Sequence, residues 1–371
     1  MIRRQKHLLL GLAVLALAPT VLIGATESKA IKQQNLTWLI NQIQEDVTLA
    51  LDKNKSARSF QEWSISGYTP ADIIRNVKAL SQKWPQATNY FCTSLKYLPA
   101  IDLALFEDEL SKQSETVLPC LPGLKDKISE YWSAEKQQLQ GAYVQSGKNI
   151  LSKPNLLRNV EKELDVSEGE RVLFSGGLKK GEIAITFDDG PHAVRTVRIL
   201  ESLKNAGVKA TFFEVGENIK TLPDITKKVV LEGHVIGSHT VKHPDLKLLS
   251  MKSMTDAEEE ITSGKSIAES AAGENVPFFR FPYGSRNVAL QDYVRNHNMV
   301  TFLWNMDSLD WKIRDTKKLL QKAIVEVEKR GGGIILFHDI HEQTAIVIPY
   351  FLEELYSRGF ATVIFIPKSA R

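Results

Sequence analysis

The sequence predicts an α/β fold with a parallel sheet, preceded by a smaller α-helical domain. Three observations carry this expectation. From about residue 181 onward, short apolar runs alternate with segments of helical length and helical periodicity. Residues 31–150 show helical periodicity alone. Ionisable residues follow five of the expected strands directly, where parallel sheets gather ligands and reacting groups.

The elements follow in chain order. Arg3, Arg4 and Lys6 precede an almost wholly apolar run over 8–25, and Ser28-Lys29-Ala30 offers small residues for cleavage. Residues 1–30 therefore read as a signal peptide, with an uncleaved membrane anchor as the second reading. Both readings export the rest of the chain, to a periplasm, a cell envelope or the medium. Over 31–150, Leu36, Leu39, Ile40 and Ile43 recur at helical spacing, as do Ile73, Ile74, Val77 and Leu80. Trp63, Trp84 and Trp132 imply a packed core there rather than a linker. No grouping of His, Asp or Glu with metal-ligand spacing occurs in this segment. It reads as a helical accessory domain, with a polymer- or partner-binding module as the sharper alternative. In an oxidising compartment a Cys92–Cys120 disulfide is the first reading, contributing roughly 2–4 kcal/mol, with two independent buried thiols as the second.

Residues 151–180 read as a polar linker, with Pro154 and Gly176-Gly177 as breakers. The last domain then runs over 181–371. Strands are expected at 183–187, 210–213, 234–236, 277–280, 299–304, 333–337 and 361–366. Helices are expected at 195–206 (ended by Gly207), 224–232, 253–272, 288–296, 315–330 and 345–357. This alternation implies a parallel sheet, open or closed into a barrel, and about seven units fit a barrel with fewer strands than eight.

Composition narrows the function classes. The 371 residues are 43% hydrophobic and 25% charged, as in an ordinary globular protein. The formal charge is only +3, and no basic stripe lies beyond the N-terminus, so nucleic acid is not an expected partner.

The chemistry sits at the strand ends. Asp188 and Asp189 follow the first strand, with Gly190-Pro191 turning the chain. His239 and His243 lie four residues apart, which on a helical turn would bring both rings to one ion. Two imidazoles and one carboxylate make a three-ligand site with open positions, the pattern of catalytic zinc. A lone His pair is weak evidence, and Asp188-Asp189 alone also suits a turn or helix cap. Two adjacent carboxylates are costly unless one binds metal and the other meets a cation such as Arg280. Asp307, Asp310 and Trp311 follow the fifth strand, and His338 follows the sixth.

Thr186-Phe187-Asp188-Asp189-Gly190, His239-Thr240-Val241-Lys242-His243, Arg280-Phe281-Pro282-Tyr283, Asp307-Ser308-Leu309-Asp310-Trp311 and Leu336-Phe337-His338 occur in that order. Together they resemble the five motifs of the polysaccharide deacetylases (carbohydrate esterase family 4, the NodB homology domain), over about residues 180–368. The resemblance implies a distorted (β/α) barrel with about seven strands. It implies Asp188 as general base, and Asp189, His239 and His243 as ligands of one divalent metal ion, zinc being the first choice. It implies that Arg280 orients Asp188, that the Tyr283 N–H stabilises the oxyanion, and that Trp311, Leu336 and Pro282 line the acetyl pocket. His338 would be the general acid, held by Asp310, with Asp307 a supporting carboxylate.

The expected substrate is an N-acetylated polysaccharide, peptidoglycan first, then chitin or poly-N-acetylglucosamine. An O-acetyl esterase acting on a xylan-like polymer is the near alternative. A carbohydrate-binding protein without catalysis is the distant one, since no motif position is missing. A retained N-terminal segment would add a membrane tether. His192 reads as a solvent-facing turn residue, His234 as structural, His341 as loop support, and His297 as a helix-end cation.

Overall fold

The computed structural model describes residues 70–82, 87–146, 157–166 and 172–368. The expectations for 1–30, for Leu36 to Ile43, and for Trp63 and Trp84 lie outside these residues. The chain divides into two compact units, 1–134 and 135–371.

Within the described part of the first unit, helices α1 (Pro70–Ser81), α2 (Ala87–Tyr97), α3 (Ala100–Leu103) and α4 (Glu107–Ser111) precede α5 (Leu121–Gln145), which runs across the boundary. Proline opens α1, where its missing N–H costs no bond. Ile73, Ile74 and Val77 of α1 are buried, together with Phe91, Leu95, Phe106, Leu110 and Ile128. Trp132 is buried too, and its indole N–H donates to Glu107 Oε2 at 3.0 Å. Cys92 and Cys120 are disulfide-bonded, with Cα atoms 5.6 Å apart. Among the described residues no helix is long and apolar enough to cross a membrane.

The second unit holds strands β1 (Asn159–Leu164), β2 (Val172–Leu173) and β3 (Glu182–Asp188), helix α6 (Arg195–Ala206) and strand β4 (Thr211–Glu214). Next come α7 (Gly216–Thr221), α8 (Pro223–Leu231), β5 (Val235–Ser238), α9 (Leu246–Ser250), α10 (Met254–Ala272) and β6 (Phe278–Phe279). The chain continues through α11 (Val288–Asn296), β7 (Val300–Phe302), β8 (Met306–Asp307), α12 (Thr316–Arg330), β9 (Gly333–His338), α13 (Glu342–Ser357) and β10 (Ala361–Pro367).

Every ladder is parallel. Strands β8-β9-β3-β4-β5-β6-β7 run side by side, and among the described residues no ladder joins β7 to β8. Seven strands therefore curve round without closing, which is the distorted barrel. The seventh is not the one expected. The run expected at 299–304 forms only Val300–Phe302, β8 is a separate short strand at Met306–Asp307, and β10 meets β3 at only two positions, Glu182 and Ile183. Strand β3 thus carries β9 along one edge, and β10 then β4 along the other.

The expected linker is also partly sheet: β1 pairs with β10 over six residues, and β2 pairs with β7. Strand β1 reads Asn-Val-Glu-Lys-Glu-Leu and is nowhere fully buried, so it lacks the apolar run that marked the central strands. By contrast β3 is buried from Ile183 to Asp188, as a central strand of a parallel sheet requires.

Helix ends match their local chemistry. Gly207 ends α6 at φ 68°, a left-handed cap that glycine adopts without a Cβ clash. The side chains of Ser253, Asn287 and Asp315 accept N-terminal N–H groups of α10, α11 and α12. Phe213, Phe278, Phe302 and Phe365 form one core with Ala184 and Ile334. Phe279, Phe281, Leu290 and Val294 belong to a second, beneath α10 and α11.

Candidate active site

Five strand ends contribute the site. Asp188 ends β3, His239 follows β5, Arg280 follows β6, Asp307 ends β8, and His338 ends β9.

Arg280 is wholly buried and its bonds fix it on every side. Its Nη1 donates to Asp188 Oδ1 at 2.6 Å and to Thr186 Oγ1 at 2.9 Å. Its Nε and Nη2 donate to the Phe302 and Leu303 carbonyls at 3.3 and 3.1 Å. The guanidinium lies 4.1 Å from the Phe213 ring centroid. A buried charge needs such pairing, and the pairing leaves Asp188 Oδ2 facing His239 Nε2 at 3.7 Å.

Asp189 Oδ1 lies 3.4 Å from His239 Nε2 and 3.1 Å from His243 Nε2. It is buried and accepts no hydrogen bond. His239 Nδ1 sits 2.7 Å from the Arg280 carbonyl, so Nδ1 carries the proton and Nε2 presents its lone pair. Ligand atoms of Asp189, His239 and His243 all lie within 4.8 Å of one another. An orphaned carboxylate oxygen facing two imidazole nitrogens, one with its tautomer fixed from behind, is a donor set that fits one divalent cation. Burial would raise the Asp189 carboxyl, but the two imidazoles outweigh it and hold it well below the usual range. Burial lowers His243, and Asp189 more than reverses this.

The acid side is built differently. Asp310 is fully buried. Its Oδ1 meets His338 Nδ1 at 2.7 Å, and its Oδ2 accepts the His338 N–H at 2.7 Å and Thr344 Oγ1 at 2.6 Å. Burial opposes charge on His338, yet Asp310, with Asp189 and Asp188 beyond it, raises the imidazole to about 10. The same contacts lower Asp310 against its own burial. Asp307 Oδ1 accepts the Leu309 N–H at 2.8 Å, supporting the turn that leads to Asp310.

Tyr283 adopts φ 59° within the turn after Arg280, and its exposed ring meets His243 edge-on at 4.7 Å. Trp311 is half exposed, whereas Leu336 and Pro282 are buried.

Among the described residues, four other histidines lie outside the cluster. His234 accepts the Ala210 N–H through Nδ1, and burial lowers it to about 3. His341 is likewise lowered to about 3 by burial. His297 Nδ1 lies 2.8 Å from the Tyr293 carbonyl at the end of α11. His192 does more than face solvent: its Nδ1 accepts the Val194 and Arg195 N–H groups at the start of α6. Sequence reasoning also missed Thr344, Thr186 and Glu260, whose residue types carry no signal of their contacts. Glu214, at the end of β4, is buried on Thr226 and raised by burial to about 8.

The polysaccharide deacetylase family model matches residues 175–302. A chitooligosaccharide deacetylase of Azorhizobium caulinodans is 32% identical over 197 residues, which are 49% of this chain and 91% of that one. A peptidoglycan-N-acetylglucosamine deacetylase of Bacillus cereus is 40% identical over 139 residues, 38% of this chain and 50% of that one. The chain thus spans half the length of that relative. Among solved structures, a peptidoglycan deacetylase of Bdellovibrio bacteriovorus superposes with a TM-score of 0.73 at 30% identity, covering 88% of this chain and 96% of that one. The chain belongs to the polysaccharide deacetylase family.

Proposed function

We propose that this chain is a metal-dependent hydrolase removing N-acetyl groups from N-acetylglucosamine units of a polysaccharide, peptidoglycan before chitin or poly-N-acetylglucosamine. The observation that carries the reading is the set of three ligand atoms on Asp189, His239 and His243, with a paired carboxylate and a paired imidazole beside it. Asp189 and two imidazoles suit zinc first, with cobalt, nickel or iron also accepted by such donors.

When bound, the divalent cation supplies Lewis-acid polarisation of the acetyl carbonyl. Asp188 is the general base: Arg280 occupies Oδ1, so Oδ2 takes the proton of the attacking water as the new C–O bond forms. The Tyr283 N–H, on its left-handed turn, donates to the developing oxyanion. His338 passes its Nε2 proton to the sugar nitrogen as the C–N bond breaks, while Asp310 holds Nδ1. Acetate leaves and the amine stays on the sugar; Asp188 and the new carboxyl lose their protons to solvent, and His338 takes one up. Trp311, Leu336 and Pro282 are assigned to the wall around the acetyl methyl.

Residues 181–371 are taken as the catalytic domain and 31–150 as a helical accessory domain. The segment 1–30 is read as directing the chain to the cell envelope or beyond, as a cleaved leader or a tether.

The test is acetate release from peptidoglycan, chitin oligomers and acetylxylan by protein lacking residues 1–30. Release from an N-acetylated polymer, abolished by EDTA and restored by zinc, is the expected result. Release from acetylxylan alone would replace this reading with an O-acetyl esterase.

A further inference from the structure

The two histidines of the proposed metal centre lie at the ends of a five-residue loop in an unfavourable backbone conformation. Thr240 and His243 both have positive φ, 68° and 58°, which non-glycine residues hold only when their surroundings force it. The loop's polar backbone is held from two sides. The first N–H groups of α7, from Gly216 and Glu217, donate to the Thr240 and Val241 carbonyls at 2.9 Å each. On the other side, one carboxylate oxygen of Glu260 on α10 accepts both the Val241 and the Lys242 N–H, again at 2.9 Å each. The His243 N–H is taken within the loop by Thr240 Oγ1 at 2.9 Å.

Gly264, one helical turn after Glu260 on the same face of α10, lets the helix come this close. A Cβ there would lie 2.7 Å from the Thr240 carbonyl carbon and 2.8 Å from its Cα. These are backbone atoms with no rotamer to change.

We infer that Glu260 is a positioning residue for the metal: by fixing the Val241–Lys242 peptides it sets where His239 and His243 present Nε2 to Asp189. The inference rests on reading Asp189, His239 and His243 as the metal centre. Glu260 touches neither substrate nor metal and acts through the loop. Because its carboxylate forms two charge-assisted bonds, its removal frees a strained loop to relax away from the geometry the ligands need.

The test is equilibrium zinc binding by the whole chain against a chromophoric chelator, together with thermal unfolding of the metal-free proteins. Outer partners of metal ligands govern affinity by about 10–100-fold, and Glu260→Ala should weaken zinc binding within that range. Glu260→Gln, which keeps an acceptor oxygen, should recover part of it. Glu259→Ala, at an exposed neighbouring position, should bind as wild type. The metal-free proteins should unfold within about 4 °C of one another. Equal zinc affinity in Glu260→Ala and wild type would overturn the inference alone. So would a loss of affinity that tracks lost thermal stability, with Glu260→Gln no better than Glu260→Ala. A wild-type chain that binds no divalent cation would overturn the metal-centre reading and this inference together.

Discussion

The Asp188–Arg280 and Asp310–His338 pairs are both buried, at 2.6 and 2.7 Å, yet one ends on a guanidinium and the other on an imidazole. The guanidinium keeps its proton at any working pH, so that pair can only hold a carboxylate in place. The imidazole can release a proton, and the buried carboxylate against it sets when it does so. Two other histidines show the effect of burial without a bonded carboxylate: His341, three residues along, and His234 are both lowered to about 3, while His338 is raised to about 10. The local partner, more than depth, divides a proton donor from an inert ring.

The largest expected effect breaks the base side. Asp188→Asn should reduce kcat for acetate release by about 10²–10⁴-fold, the usual contribution of a positioned proton acceptor, while zinc affinity stays near wild type. A variant with near-normal kcat would move the base elsewhere. Next is Arg280→Met, which leaves Asp188 buried without its cation. A broken buried pair costs about 3–5 kcal/mol, and the melting temperature should fall by roughly 10 °C in thermal denaturation.

Asp310→Asn sharpens the contrast on the acid side. With the carboxylate gone, burial dominates and His338 loses its proton at lower pH. The alkaline limb of the kcat profile should therefore move down from about pH 10 by at least about one unit, with the largest loss of kcat near pH 10. An unmoved limb would show that some other group is the acid. The same pair should also mark stability. His338 holds its proton to about pH 10 when folded but only to about 6.5 when unfolded, so its contribution is complete below 6.5 and lost as pH rises towards 10.

The smallest effect concerns His234, where the sign reverses. Its folded value lies below the unfolded one, so stability is lost as pH falls from about 6.5 towards 3. Wild type should lose roughly 2 kcal/mol more than His234→Gln between pH 8 and pH 5, measured by urea unfolding at each pH. Parallel curves for the two proteins would mean that His234 charges freely in place.

Much of the core was legible because parallel strands buried on both faces must be apolar and their helices must be amphipathic. The helices expected at 195–206 and 288–296 coincide with Arg195–Ala206 and Val288–Asn296. Strand β1 escaped because its half-exposed edge position tolerates Glu and Lys, and β2 and β8 because two residues carry no period. The named site residues stood out as ionisable groups after apolar runs. Thr344 and Glu260 did not, since a helical threonine or an acid in a run of three gives no sign of the distant backbone or carboxylate it meets.

Strand β3, which ends on Asp188 with Asp189 the next residue, has its full-length neighbour β9 about 150 positions later, and the Asp310 oxygen that takes the His338 backbone N–H also accepts from Thr344. During synthesis the carboxylates therefore emerge long before the residues that complete their surroundings. A nascent chain that has reached residue 332 has Asp188, Asp189, His239, His243 and Arg280 but neither the β9 edge nor the proposed proton donor. The centre is thus completed only once residue 338 has been made, and a premature stop codon between residues 244 and 337 yields a chain that has the proposed metal ligands but lacks His338, the proposed proton donor.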